Sequence, residues 1–266
     1  MLVPSMVTDH LYRALSRWPV AQRHFRRVVR RLPGRERRVT HFGRDLIVDP
    51  SELHGYYLYY EHAYDDEVFR FLEPRLGAYP HALDLGANIG IYTTFLARHC
   101  RHVDAFEPEA QVLARLRRNL EINGADNVTV HEVCVSDASG VARFTSPDRR
   151  NQGVGRIDPA GAVVPAVSLD DFLAGATPEP LFIKVDIEGG EWPAMLGARR
   201  TLAAWPAPLA LLLEIHPDAI TGLGGSIAGL RQVFEDAGFD VRGLDAGELA
   251  STVDGARFWW VSRGRS

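Results

Sequence analysis

The segment His81-Ala82-Leu83-Asp84-Leu85-Gly86-Ala87-Asn88-Ile89-Gly90 constrains the fold of this chain more than any other. A short apolar run enters a glycine-bearing turn, and an apolar helix pattern follows from Ile91 to His99. That order reads as a buried strand, a tight turn and a helix, the opening unit of an α/β protein. The next apolar run, Val103-Asp104-Ala105-Phe106, ends at an acid, Glu107. In nucleoside-binding folds of this plan, backbone N–H groups of the turn approach the ligand. A carboxylate one strand away accepts the ribose hydroxyls. A dinucleotide site wants G-x-G-x-x-G, so that a pyrophosphate can rest on the helix N-terminus. Here Gly86-x-Asn88-x-Gly90 puts a bulkier Asn in the middle, and the charge of Asp84 would oppose a pyrophosphate. S-adenosylmethionine carries no phosphate, and its ammonium and sulfonium are cationic. An acid-flanked turn suits it.

From Ala82 onward strands and helices alternate, which predicts a parallel sheet covered on both faces. Strands are expected at Ala82–Leu85, Val103–Phe106, Val128–Val135, Leu181–Asp186 and Leu209–Ile215. Phe239–Leu244 and Phe258–Ser262 close the set as an antiparallel pair, and Gly140–Thr145 reads as an extra strand. Helices are expected at Glu109–Asn123, Trp192–Ala203 and Ser226–Ala237, with a short one opening at Ser168. Asn151–Gly161, rich in Gly, Asp and Pro, reads as a loop. Ligands of open parallel sheets bind beyond the carboxyl ends of the strands, where the strand order reverses. Those ends carry Asp84, Glu107, Ser136 with Asp137, Asp186 with Glu188, and Glu214 with His216. Carboxylates gathered at one edge repel each other, so a cationic ligand, a metal or both would explain them.

At 266 residues, 46% apolar and 24% charged, the chain can bury one large α/β core with an appendage. The expected division is 1–75, a basic arm with an aromatic segment, and 76–266, the ligand-binding domain. No apolar run is long enough to span a bilayer, and Pro4, Asp9, His10 and Arg13 interrupt any early signal-peptide core. Cys100 and Cys134 share no metal or redox spacing and read as buried thiols of a reducing compartment, with the cytoplasm as the expected location. The net charge of −4 hides an arginine-rich start, from Arg13 through Arg44, ahead of an acidic body. Leu11, Leu15, Phe25, Val28 and Val29 are interleaved with those arginines, as on a solvated helix face. The acidic body would repel nucleic acid, so no nucleic-acid partner is expected. Lys184 is the single lysine and lies in an apolar strand beside acids.

Several segments together resemble the FkbM-type branch of S-adenosylmethionine-dependent methyltransferases. They are Leu83–Gly90, Phe106-Glu107-Pro108, Asn119-Leu120-Glu121-Ile122-Asn123, Ile183-Lys184-Val185-Asp186-Ile187-Glu188-Gly189-Gly190-Glu191 and Leu213-Glu214-Ile215-His216-Pro217. The likeness runs from about Tyr60 to Pro217, and the Lys-Val-Asp-Ile-Glu-Gly-Gly-Glu stretch is its most specific part. It implies a doubly wound, seven-stranded Rossmann-like methyltransferase sheet, last strand antiparallel, behind a helical or irregular N-terminal arm. It also implies methylation of a hydroxyl on a sugar or secondary metabolite, as in natural-product tailoring. Methylation of a small-molecule amine, or of a cell-surface glycan or lipid, is the alternative.

On that likeness Gly86, Ala87, Asn88 and Gly90 pass the methionine end of the cofactor, with Asp84 near its ammonium, although Asp84 also suits a cap on the turn. Glu107 takes the ribose hydroxyls, and Pro108 opens the next helix. Ser136 and Asp137 lie where such folds meet the adenine, although Asp137 equally suits a turn cap. Tyr60 is placed near the cofactor, in an aromatic run (Tyr56, Tyr57, Tyr59, Tyr60, His62, Tyr64) that either covers the site as a lid or packs on the sheet edge. A hydroxyl acceptor must lose a proton during attack. Asp186, Glu188, Glu214 and His216 are the candidates, with Lys184 beside them. His216 is the favoured base because its unperturbed pKa lies near neutrality, although a His before Pro217 can equally serve the backbone. A divalent metal on Asp186, Glu188 and Glu214 would use hard-oxygen ligation, but no ligand spacing is diagnostic and none is assigned.

Two other function classes fit less well. A nicotinamide-dependent oxidoreductase would need the pyrophosphate cradle that this turn lacks. A base N-methyltransferase would carry Asn/Asp-Pro-Pro-aromatic after the fourth strand, where this chain has Asp186-Ile187-Glu188-Gly189. The expected partner is therefore a small-molecule hydroxyl acceptor, with oligomeric state, a homodimer included, left open.

Overall fold

The computed structural model describes residues 12, 19–29, 31, 34–146, 155–250, 253 and 255–263. Seven strands build the central sheet: β1 (His81–Leu85), β2 (His102–Phe106), β3 (Val128–His131), β4 (Leu181–Val185), β5 (Leu209–Glu214), β6 (Asp240–Asp245) and β7 (Phe258–Arg263). Their order is β3-β2-β1-β4-β5-β7-β6, and the short pair Glu248–Leu249 extends the edge beyond β6 as an eighth strand. β1 to β5 run parallel, whereas β7 runs antiparallel to both neighbours. Every residue of β4 and β5 is buried, as strands covered on both faces must be. The order reverses between β1 and β4, so a crevice opens at their carboxyl ends.

Side-chain alternation divides two cores. Leu83, Leu85, Ile183 and Leu211 meet Met195, Leu202, Leu230 and Phe234 on one face. Ala82, Phe182 and Leu212 meet Phe69, Leu72, Phe95 and Leu96 on the other. The helix Ala110–Ile122 buries Val112, Leu113, Leu116, Asn119 and Leu120, the stripe that 3.6-residue spacing produces. A hairpin of Arg37–His41 and Arg44–Val48 and the helix Asp66–Leu76 add Leu46, Val48 and Phe69 to the second core. Asn119 and Asn123 fasten that hairpin. They accept from the backbone N–H of Ile47 at 2.7 Å and of Asp45 at 3.0 Å.

Three expected elements differ. Val128–Val135 is not one strand: β3 stops at His131, and Cys134–Val135 pairs with Ala162–Val167 in a second sheet, which also holds Gly140–Thr145 and Arg156–Ile157. The chain turns off the sheet there to wall a cavity. Trp192–Ala203 divides into helices Glu191–Leu196 and Arg199–Ala204. At the break, a Cβ on Gly197 would lie 2.3 Å from the Ser136 carbonyl oxygen, so only glycine allows that approach. Of the expected loop Asn151–Gly161, residues 151–154 lie outside the described residues, and Arg156–Ile157 within it pairs with Phe144 and Thr145.

In the arginine-rich start, the helix Pro19–Val29 seats Phe25 and Val29 against Tyr56 and Tyr60. Arg26 donates to the Tyr57 hydroxyl at 2.8 Å, and Arg27 is exposed. Arg13, Arg17 and Arg30 lie outside the described residues. Among the described residues, no helix is long and apolar enough to cross a membrane.

Candidate active site

The turn after β1 is built around one close approach. Gly86 has φ +79°, and a Cβ there would lie 1.9 Å from the Asp186 carbonyl oxygen at the end of β4. The ends of the two central strands therefore meet backbone to backbone. Asn88 also adopts the left-handed conformation (φ 50°), and its carboxamide accepts from the N–H of Ile89 at 2.7 Å. Glu107 is 5% exposed and accepts two backbone N–H groups, from Asn88 and from Glu109, each at 2.8 Å. Burial pushes its carboxyl up to about 7, against those two bonds.

A cavity opens between these groups. Gly86, Asn88, Glu107 and Pro108 line it together with Asp186 and Glu188, and Phe106, Val133, Cys134, Val135, Phe144 and Ile157 give apolar walls. A second cleft of about 480 Å³ lies against it, lined by His54, Tyr57, Tyr64, Asp65, Glu214 and Arg257. Asp186 and Glu188 line both.

Several expected residues occupy different places. Asp84, expected beside a ligand ammonium, is fully buried beneath the turn. It accepts from the Thr93 hydroxyl at 2.6 Å and pairs with Lys184 at 3.2 Å. Lys184 is not at the cavity surface either. Its ammonium donates to the carbonyls of Gly86 at 2.9 Å and Leu85 at 3.4 Å and lies 3.5 Å from Asp186. Burial would lower its proton affinity, but Asp84 and Asp186 outweigh that and hold it charged. The N–H groups of Gly86 and Ala87, expected to face a ligand, both donate to the Phe106 carbonyl, at 3.0 and 2.9 Å. Ala87 packs on the helix Ala110–Ile122, and Gly90 lies against Leu116. Ser136 and Asp137 bond each other at 3.0 Å outside the cavity lining, whose wall comes from Val133–Val135 instead. Tyr60 packs against Tyr12, Phe25, Tyr56 and Tyr59, away from both cavities. The five-residue π-helical turn Tyr57–Glu61 directs Tyr57 to the second cleft and Tyr60 to that aromatic cluster.

His216 is not a free neutral base. Its Nδ1 bonds Glu191 at 2.7 Å, and Nε2 lies 3.6 Å from Glu188 and 3.7 Å from Glu214, behind the carboxylates that line the clefts. Burial lowers its proton affinity, but Glu191 overrides this and raises the pKa to about 9. Burial pushes Asp186 up, yet Lys184 and then His216 leave it below the usual carboxylate range. Burial raises Glu188, opposed by His216. Burial and the Asp186 charge bring Glu214 to about 7 while Arg257 donates to it at 2.7 Å. In a metal-ligand sense Asp186 and Glu188 group with His216, their donor atoms within 4.8 Å of one another, rather than with Glu214.

Four residues of the second cleft carry no signal in the strand-end pattern. His54 meets Tyr64 edge to face, and burial lowers it to about 4, leaving it neutral at pH 7. Asp65, in the left-handed conformation, accepts from Tyr92 at 3.0 Å and from Arg257 at 3.1 Å. Arg257, outside the segments that resemble a family, thereby ties Asp65 to Glu214.

The chain is similar to known proteins. The profile of the methyltransferase FkbM domain matches residues 84–241. The hexuronic acid methyltransferase AglP of Haloferax volcanii is 27% identical over 135 residues, 50% of this chain and 54% of that protein, so the chain spans about half the length of this curated relative. Among solved structures, methyltransferase FkbM from Methylobacillus flagellatus KT has 21% identity and a TM-score of 0.46, covering 70% of this chain and 44% of that one. SMU.1697c, a putative methyltransferase from Streptococcus mutans in complex with SAH, has 14% identity and a TM-score of 0.42, over 73% of this chain and 94% of that one. With the domain matched over more than half of this chain, from Asp84 in β1 to Val241 in β6, the chain belongs to the FkbM methyltransferase family.

Proposed function

We propose that this enzyme transfers a methyl group from S-adenosylmethionine to a hydroxyl of a sugar or sugar-bearing small molecule. The observation that carries this is the pair of adjoining cavities that share Asp186 and Glu188. One cavity suits the cofactor. Glu107 presents a buried carboxylate for the ribose hydroxyls, Val133, Val135 and Phe106 offer an apolar wall for a base, and Gly86 lets the turn after β1 close onto the Asp186 backbone at the cavity's edge. Bound there, S-adenosylmethionine supplies an electrophilic methyl group on a cationic sulfur.

The chain's own residues do the rest. Lys184 keeps Asp186 ionised where the two cavities join, so that carboxylate favours a cation beside it. Glu188 stands at the same junction, with φ 50° and a proton affinity raised by burial. A carboxylate so placed accepts the acceptor's hydroxyl proton as the oxygen attacks. His216, held as an imidazolium by Glu191, positions Glu188 and Glu214. The second cleft, with Tyr57, Tyr64 and His54 beside Asp65 and Arg257, combines ring faces with hydrogen-bonding groups, as a polyhydroxylated acceptor requires. The Haloferax volcanii relative is a hexuronic acid methyltransferase, which supports an acceptor of that kind.

Calorimetry with S-adenosylhomocysteine and with NAD, followed by mass spectrometry across a glycoside panel, tests the proposal. It requires S-adenosylhomocysteine to bind, NAD not to bind, and a glycoside to gain one methyl mass. Glu188→Gln should lower turnover by roughly 10²–10⁴-fold with cofactor affinity retained. Turnover unchanged in that variant removes Glu188 from proton transfer, and NAD binding without S-adenosylhomocysteine overturns the whole assignment.

A further inference from the structure

His81 and His102 stand at the amino ends of β1 and β2, about 13 Å along the strands from the methyl-transfer cavity, and with His131 at the carboxyl end of β3 they converge on Asp104 in the middle of β2. His81 and His102 face each other across the parallel pair, and their rings lie 5.4 Å apart. The Nε2 atoms of both point at Oδ2 of Asp104, from 2.7 and 3.3 Å. Nε2 of His131 bonds the other oxygen, Oδ1, at 2.7 Å. His131 is itself fixed, stacked on Phe106 and meeting Phe172 edge to face. The Asp104 side chain is 9% exposed, while His102 is 38% exposed, so the group is walled from below and open to solvent on one side.

We propose that His81, His102 and Asp104 form a binding site for a divalent transition-metal ion such as Zn²⁺, separate from the methyl-transfer site. Two neutral imidazoles and one carboxylate are the nitrogen and oxygen donors such ions take. Their three donor atoms already lie within 4.8 Å of one another. Donors about 2.0–2.1 Å from a single tetrahedral ion stand about 3.3 Å apart. His102 and Asp104 have that spacing, and His81 reaches it by withdrawing a little over half an ångström from Asp104. His131 leaves Oδ2 for the ion by engaging Oδ1, the supporting contact that ligating carboxylates usually have. The remaining coordination positions fall on the side of exposed His102, where water completes the shell.

Untagged protein dialysed against a chelator, then titrated with Zn²⁺ in a calorimeter, tests this. One ion per chain should bind. His102→Gln should weaken that binding at least tenfold with the melting temperature of the metal-free protein little changed, because His102 is the most exposed of the three. His216→Gln should leave it intact. Binding that survives His102→Gln, or that disappears in His216→Gln, overturns the proposal, as does absence of stoichiometric binding. Should His102→Gln fail to fold, the Co²⁺-loaded wild type decides. Intense visible bands of a four-coordinate imidazole site support the assignment, and the weak spectrum of the hydrated ion overturns it.

Discussion

The carboxylate of Glu191 lies 2.7 Å from Nδ1 of His216 and is itself fully buried. Glu191 opens the helix that follows β4, and His216 follows β5. The bond therefore joins the ends of the two strands that carry Asp186 and Glu214. A buried carboxylate at that distance favours the imidazolium, and Glu188 and Glu214 on the ring's other side favour it further.

This fixes the alkaline side of the pH profile. The folded-state pKa of His216 is raised from 6.5 to about 9, so its charge contributes fully below about 6.5 and is lost as pH rises through about 9. Turnover should fall above pH 9 as Glu188 and Glu214 lose their shared cation. His216→Gln should abolish that limb and lower the plateau by roughly tenfold or more. A wild-type profile that keeps rising past pH 9 would instead make the neutral imidazole the active form.

Lys184→Met should be among the most damaging single changes in the chain. Asp84 is 0% exposed, and Lys184 is its cationic partner at 3.2 Å. Removing one member of a buried ion pair costs about 3–5 kcal/mol. The carbonyls of Gly86 and Leu85 lose their ammonium donor as well. Thermal unfolding should show a large downward shift, and Lys184→Arg should rescue it poorly because the 3% exposed site fits a compact head. A melting temperature unchanged in Lys184→Met would mean that Asp84 is protonated in the native protein.

The sheet was legible because its signals are local. Apolar runs of strand length ending in Asp84, Glu107, Asp186 and Glu214 mark both the parallel order and the crevice, and each run was placed to within a residue or two. Of the second cleft, Asp186, Glu188 and Glu214 were legible at the strand ends and Tyr57 and Tyr64 in the aromatic run, but no spacing joins His54, Asp65 and Arg257 to them. His54, Tyr64 and Asp65 precede the first core strand, and Arg257 arrives 192 residues after Asp65. Burial also decided roles that residue type could not. His216 and His54 share an unperturbed pKa, yet Glu191 holds one charged while desolvation leaves the other neutral. Asn119 and Asn123 stood in the sequence without a role, since their partners lie more than 70 residues upstream.

Asn119 therefore offers a test of how the N-terminal hairpin is held. Its side chain is fully buried, accepts from the Ile47 N–H at 2.7 Å and donates to the Ile89 carbonyl at 2.7 Å. Asn119→Leu should cost about 1–3 kcal/mol for each buried group it strands. Native-state amide exchange at Ile47 should quicken more than exchange within β4. Equal acceleration in both would mean that the hairpin and the sheet open as one unit.

Glu107 gives the cofactor site its own pH dependence. Its carboxyl sits at about 7 because burial opposes the charge, and the backbone N–H groups of Asn88 and Glu109 only partly offset that cost. As a carboxylate it can accept both ribose hydroxyls, and as a carboxylic acid it loses one of those acceptors. S-adenosylhomocysteine should therefore bind more tightly as pH rises from about 6 to 8, with release of protons to the buffer. Glu107→Gln keeps the shape but not the charge. It should weaken binding by roughly tenfold to a hundredfold, the worth of hydrogen bonds to a charged group, and flatten the pH dependence. Calorimetry in two buffers of different ionisation heat measures both affinity and proton release. Equal affinity for the wild type at pH 6 and pH 8 would place the ribose away from Glu107, and the cofactor assignment of this cavity would fall with it.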